Sequence, residues 1–93
     1  MRLSTFEQYL TFDVVINIKN QHFIKAFGEN LRSIRNDKKI SQENLSYEAD
    51  IPVSQIGRIE RGEINTTIST ILVLAIALKI QPKELLDFKF KKQ

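Results

Sequence analysis

Arg58 is the residue of this chain best suited to selective recognition. A guanidinium can bond the O6 and N7 atoms of one guanine together. Arg58 lies in the stretch Val53–Arg61, where Ile56 and Ile59 sit at helical spacing and turn one face inward. That leaves Val53, Ser54, Gln55, Gly57 and Arg58 on or beside the outer face. Ser54 can donate or accept a hydrogen bond, and Val53 can touch a thymine methyl. Gly57 has no side chain and would let a backbone approach closely. Arg61 and Asn65 flank this stretch as candidate phosphate contacts, with Lys38 and Lys39 as further ones. Gln42, at the start of the preceding helix, can reach a phosphate with backbone donors and a positive dipole behind it.

Catalytic chemistry finds little support. His22 is the one histidine, there is no cysteine, and the glycines Gly28, Gly57 and Gly62 are dispersed. A Cys-based zinc site and a disulfide framework are excluded. A phosphate loop needs clustered glycines. A Ser–His arrangement would have to use His22, and nothing marks its partner. No cofactor, metal or small-molecule ligand is expected, and the chain does not read as an enzyme.

The elements that position the outer face lie within SQENLSYEADIPVSQIGRIERG, Ser41 to Gly62. Ser41 is a good N-cap, since its hydroxyl can accept an orphan N–H of the first turn. Gln42 to Ala49 keeps Leu45 and Ala49 on one face. Pro52 disfavours the α conformation at the residue before it and ends that helix. Gly62 stops the second helix by taking the left-handed conformation cheaply. A helix, a tight turn and a helix present the second helix to the major groove of DNA.

On Ser41-Gln42, Leu45, Ile56 and Arg58-Ile59-Glu60-Arg61-Gly62, the chain resembles the phage-repressor/Cro-like (Xre) helix-turn-helix family. The resemblance spans roughly Phe27 to Leu86. Ser46 stands where that family usually has Ala, Asp50 where it has Gly, and Pro52 where it has a Ser or Thr cap. The resemblance implies a partly buried ion pair between Arg35 and Glu60, which ties the first helix to the reading helix. It also implies a phosphate-bracing role for Gln42.

Hydrophobic content of 42% with 27% charged residues is that of a globular domain. The net charge is +3, but residues 22–86 carry nine basic and eight acidic groups. Affinity for nucleic acid must therefore come from a local basic face. No targeting signal is visible, and the longest apolar run, Ile71–Leu78, is too short to span a bilayer. A soluble, cytoplasmic protein is expected.

Residues 1–19 read as an N-terminal extension. Ser4–Leu10 can be a short helix, and the alternation of Phe12, Val14, Ile16 and Ile18 over Thr11–Lys19 predicts a strand. Asn20 can then cap a helix to about Lys38, with Phe23, Phe27, Leu31 and Ile34 on its inner face. Thr67 caps a fourth helix, Ile68–Leu78, and Pro82 opens a short fifth that buries Leu85 and Leu86. Phe88–Lys91 alternates again, within a basic tail of residues 88–93.

The fourth helix is apolar all round. Ile68, Ile71, Leu72, Ala75 and Leu78 are assigned inward, leaving Val73, Ile76, Ala77 and Ile80 as a second apolar face that something must cover. A second subunit or the segment carrying Phe6, Tyr9, Leu10 and Phe12 would do so. A strand also needs a partner. The expectation is a small β element from the two terminal segments, beside a dimer interface on that second face.

The reading is an all-α, five-helix repressor-type domain over residues 20–87. Its function would be that of a transcriptional regulator that binds double-stranded DNA as a homodimer. The alternative is a protein-interaction module or antitoxin-like partner that keeps the fold.

Overall fold

The computed structural model describes residues 5–90, with side chains from residue 21 onward. Five helices follow one another: α1 (Thr5–Asp37), α2 (Gln42–Ala49), α3 (Val53–Glu60), α4 (Ile68–Leu78) and α5 (Pro82–Leu85). This is the all-helical, five-helix order expected from the sequence.

The strand over Thr11–Lys19 does not form. α1 runs unbroken for 33 residues through that stretch and through Asn20, which caps nothing. The chain offers no reason to stop, because no Gly or Pro occurs before Gly28. Once packing holds the downstream part helical, each added residue gains one backbone bond, and modest β-propensity does not outweigh that. Phe88–Phe90 is irregular rather than a strand, and Lys91 lies outside the described residues. The alternation there has a different use: Phe88 and Phe90 each place a ring 5.2 Å from that of Phe23, which is itself partly exposed.

One core takes side chains from every helix: Phe27 and Leu31, Leu45 and Ala49, Ile56 and Ile59, Leu74, Ala75 and Leu78, and Leu85. Fully burying each larger side chain contributes about 1.5–3 kcal/mol. Ile34, Ile40, Ile51 and Ile64 close its edges.

α4 is seated differently from the expectation. Leu74, Ala75 and Leu78 are buried, whereas Ile68 is 86% and Leu72 49% exposed, and so do not belong to an inward face. On a helix apolar all round, several stripes fit the helical period, and only packing against α2 and α5 selects one. Ala77 and Ile80 pack against the subunit's own core, while Val73 and Ile76 stay exposed. Leu86, expected inside, is exposed just past α5.

The helix ends share one device. Ile40 N–H bonds the Arg35 carbonyl, Ile51 that of Ser46, Glu63 that of Arg58, and Ile80 that of Ala75. The residue before each donor is left-handed: Lys39, Asp50, Gly62 and Lys79. These are Schellman-type ends, which satisfy orphan carbonyls and turn the chain sharply. Ser41 and Thr67 cap α2 and α4, accepting from Asn44 and Thr70 N–H. Asn30 of α1 bonds the carbonyls of Glu84 and Leu85, which fastens α5 to α1.

α1 and α3 meet backbone to backbone at Gly28. A Cβ there would lie 2.2 Å from the Ile59 carbonyl oxygen and 2.7 Å from that of Glu60. Gly28→Ala should therefore destabilise by about 1–3 kcal/mol, because α3 must shift away from α1. Chemical denaturation measures this, and an unchanged midpoint would mean the two helices have room to spare.

Candidate nucleic-acid interface

The end of α3 is held by its last residue. Glu60 is fully buried, and its carboxylate accepts four hydrogen bonds. Arg35 Nε donates to Oε2 at 2.6 Å and its NH2 to Oε1 at 3.0 Å. Arg32 Nε and Gln42 Nε2 reach Oε1 at 3.1 and 2.9 Å. Three of the four bonds fall on Oε1 and one on Oε2, so each oxygen has at least one donor. Arg35 spends its NH1 on the Ile40 carbonyl at 2.9 Å, which ties the turn after α1 into the same knot.

Burial alone pushes the Glu60 carboxyl up. The bonds from Arg35, then Gln42 and Arg32, more than offset this and hold it below its ordinary value of 4.5. The bond to Glu60 raises the Arg35 guanidinium in turn, against the effect of its burial.

The sequence-derived residues fall into three groups. Val53, Ser54 and Arg58 are exposed on α3, and Gln55 is half-exposed, while Ile56 and Ile59 on the other side are sealed in the core. Gly57 is buried rather than outward: a Cβ there would lie 3.0 Å from Arg61 NH1 and 3.8 Å from the Gln42 amide. Its smallness makes room for two side chains rather than for a ligand backbone. Lys38 and Lys39 are exposed at the end of α1, and Arg61 and Asn65 are exposed just beyond α3. α3 begins at Pro52 with no side-chain cap, so its first N–H groups keep their donors for an anion.

Three contacts were not foreseen. Arg32 also bonds Glu60, since it stands one turn before Arg35 on the same face. Gln42 is bonded to Glu60 before it meets anything else, which leaves one Nε2 hydrogen for a phosphate. Glu63 pairs with both exposed arginines: Arg61 Nε at 2.6 Å and Arg58 Nε at 3.7 Å. The sequence signal was the glycine at 62, since a Schellman end returns its last residue beside the helix's final turn.

Among the described residues, no group of three or more His, Cys, Asp or Glu side chains can hold a metal ion, and no helix is long and apolar enough to cross a membrane. His22 is exposed.

The profile of the Cro/C1-type HTH DNA-binding domain matches residues 30–91. The control protein C.BamHI of Bacillus amyloliquefaciens is 44% identical over 63 residues, which covers 67% of this chain and 78% of that protein. The restriction-modification controller protein C.AhdI from Aeromonas hydrophila has a similar structure, with a TM-score of 0.65 at 42% identity over 69% of this chain and 96% of its own. The controller C.Esp1396I, solved as a tetramer in complex with its natural 35 base-pair operator, gives 0.61 at 25% identity over 70% of this chain and 96% of its own.

Glu60 holds fewer protons when folded than when unfolded. Its contribution to stability is therefore complete above the ordinary carboxylate value and lost as pH falls through the lowered one. Stability should be level from pH 7 to about 5 and fall below that. Arg35→Ala should cost about 3–5 kcal/mol at neutral pH and flatten the acid limb. Arg32→Ala should cost less than about 1 kcal/mol, because its side chain is 47% exposed. Urea titrations of all three proteins from pH 3 to 7 read this, and equal small losses for both variants would count against the carboxylate as the organising charge.

Proposed function

The chain belongs to the Cro/C1-type helix-turn-helix DNA-binding family and regulates transcription by binding duplex DNA, and on that premise we propose how it reads its site. α3 enters the major groove with Val53, Ser54, Gln55 and Arg58 toward base edges, and Arg58 bonds a guanine. Gln42, Arg61, Asn65, Lys38 and Lys39 contact phosphates on either side and set the register. The observation that carries this is the two-sidedness of α3. One side is sealed by Ile56 and Ile59, and the other exposes a guanidinium, a hydroxyl and a branched methyl pair.

The protein acts as a homodimer of the repressor type. One reading helix covers only a few base pairs, and two placed about 34 Å apart meet successive faces of the major groove. The interface uses the exposed side of α4. Ile68, Leu72 and Ile76 recur every fourth residue as one apolar stripe, with Val73 beside it. An exposed stripe of this kind marks an interaction surface. The sequence-derived interface keeps Val73 and Ile76, and Ala77 and Ile80 belong to the subunit's own core. The likeness to C.BamHI and C.AhdI supports an operator of the restriction-modification controller kind, and cytoplasmic residence goes with that role.

Selection from a random duplex library should yield a two-fold symmetric site. On it, Arg58→Ala should lose about 1–3 kcal/mol and relax the preference at one base position. Gln42→Ala should weaken binding to every duplex alike. A variant at Arg58 with unchanged preference would remove it from base reading. For the dimer, Ile76→Glu should sediment as a monomer at concentrations where the unmodified protein is a dimer. An unaltered sedimentation coefficient would exclude this face of α4.

A further inference from the structure

We infer that Glu63 is a specificity-determining positioning residue, which engages Arg58 and Arg61 through their Nε atoms and leaves the terminal-nitrogen edge of Arg58 for DNA. The inference rests on the reading above, in which Arg58 contacts bases and Arg61 a phosphate.

Glu63 is placed by backbone geometry rather than by chance rotation of a surface side chain. Gly62 adopts φ +74° and lies tight against Lys25 of α1, where a Cβ would come within 2.8 Å of the Lys25 Cα. The chain therefore reverses at one defined point, and Glu63 N–H bonds the Arg58 carbonyl at 2.9 Å. The carboxylate is returned beside the final turn of α3, between the two arginines. One oxygen takes Arg61 Nε at 2.6 Å, and the other faces Arg58 Nε at 3.7 Å. The bond to Arg61 holds the Glu63 carboxyl below its ordinary value, so the charge is in place at neutral pH.

Both arginines meet the carboxylate through Nε. A guanidinium has two bonding edges, and a contact through Nε does not use the edge bearing the two terminal nitrogens; on Arg61 one of those nitrogens, NH1, lies against Gly57, whereas Arg58 keeps that edge for DNA. That edge is the one able to meet guanine O6 and N7 as a pair. At a matching site Arg58 can bond guanine without leaving Glu63.

A random duplex offers phosphates in place of that guanine. If Arg58 turns to a phosphate it leaves Glu63, whose carboxylate stays bonded to Arg61 and is left without that second partner beside the phosphates. Glu63 thus penalises non-specific binding more than specific binding. It also reduces the charge available to displace counterions from DNA by one unit.

The test uses the full-length protein with Glu63→Gln, which keeps the size and one acceptor but removes the charge. Glu43→Gln, an exposed acid in the first turn of α2, serves as the control for net charge. Binding is measured on the selected site and on random duplex across a salt series. Glu63→Gln should bind random duplex about three- to tenfold more tightly near 0.1 M salt, with a salt slope steeper by about 0.9. Affinity for the selected site should not rise, so the ratio between the two duplexes falls by the same factor. Glu43→Gln should leave that ratio unchanged. Equal tightening on both duplexes, equal weakening, no change, or the same loss of ratio in Glu43→Gln would overturn the inference. Arg58→Ala in the same series separates the two levels. If it relaxes site preference while Glu63→Gln does not alter the ratio, base reading stands and the role of Glu63 falls.

Discussion

A buried carboxylate with four donors around it determines where α3 lies. Moving Glu60 out of water costs several kcal/mol before any partner is counted. That cost is offset chiefly by Arg35, with Arg32 and Gln42 adding to it, and the three come from α1 and α2. The three helices that form the reading surface are thereby restricted to one mutual arrangement. Apolar packing alone would allow more latitude, since Ile56 and Ile59 have no directional requirement. The close approach at Gly28 acts on the same joint, because it lets the α3 carbonyls next to Glu60 touch α1.

Local backbone chemistry does the rest of the positioning. Four Schellman-type ends turn the chain without long loops, and three of their left-handed residues are not glycine: Lys39, Asp50 and Lys79. An L-residue there costs about 1–2 kcal/mol. The fold tolerates it because the next residue in each case, Ile40, Ile51 or Ile80, packs against the core. The fourth end has Gly62, where Lys25 leaves no space for a side chain. That end also governs how Glu63 meets the exposed arginines.

Much of this was legible in the sequence, for identifiable reasons. Ser41, Thr67, Pro82 and Gly62 act through their own backbone or side-chain chemistry, so their roles could be read without knowing the fold. Ile56 and Ile59 were readable because polar neighbours set off their spacing. The N-terminal stretch was not, because alternation over Thr11–Lys19 competes with helix propagation from a packed segment further along. α4 was not either, since a helix without a polar face carries no phase. The contacts of Arg32, Gln42 and Glu63 were not legible for a third reason. Each meets a partner brought near by a turn or by another helix, which no local spacing reveals.

The Glu60 knot serves the orientation of the reading helix more than it serves net stability. The double variant Arg35→Met with Glu60→Leu separates those roles, because replacing both members of a buried pair by apolar residues of similar volume is often neutral or stabilising. The decisive measurement is its discrimination between the selected site and random duplex, alongside its urea midpoint. The double variant should keep a midpoint close to that of the unmodified protein and lose discrimination by about tenfold or more, since Gln42 and Arg32 lose their acceptor and α3 its fixed seat. A variant that is equally stable and discriminates as well as the original would contradict it.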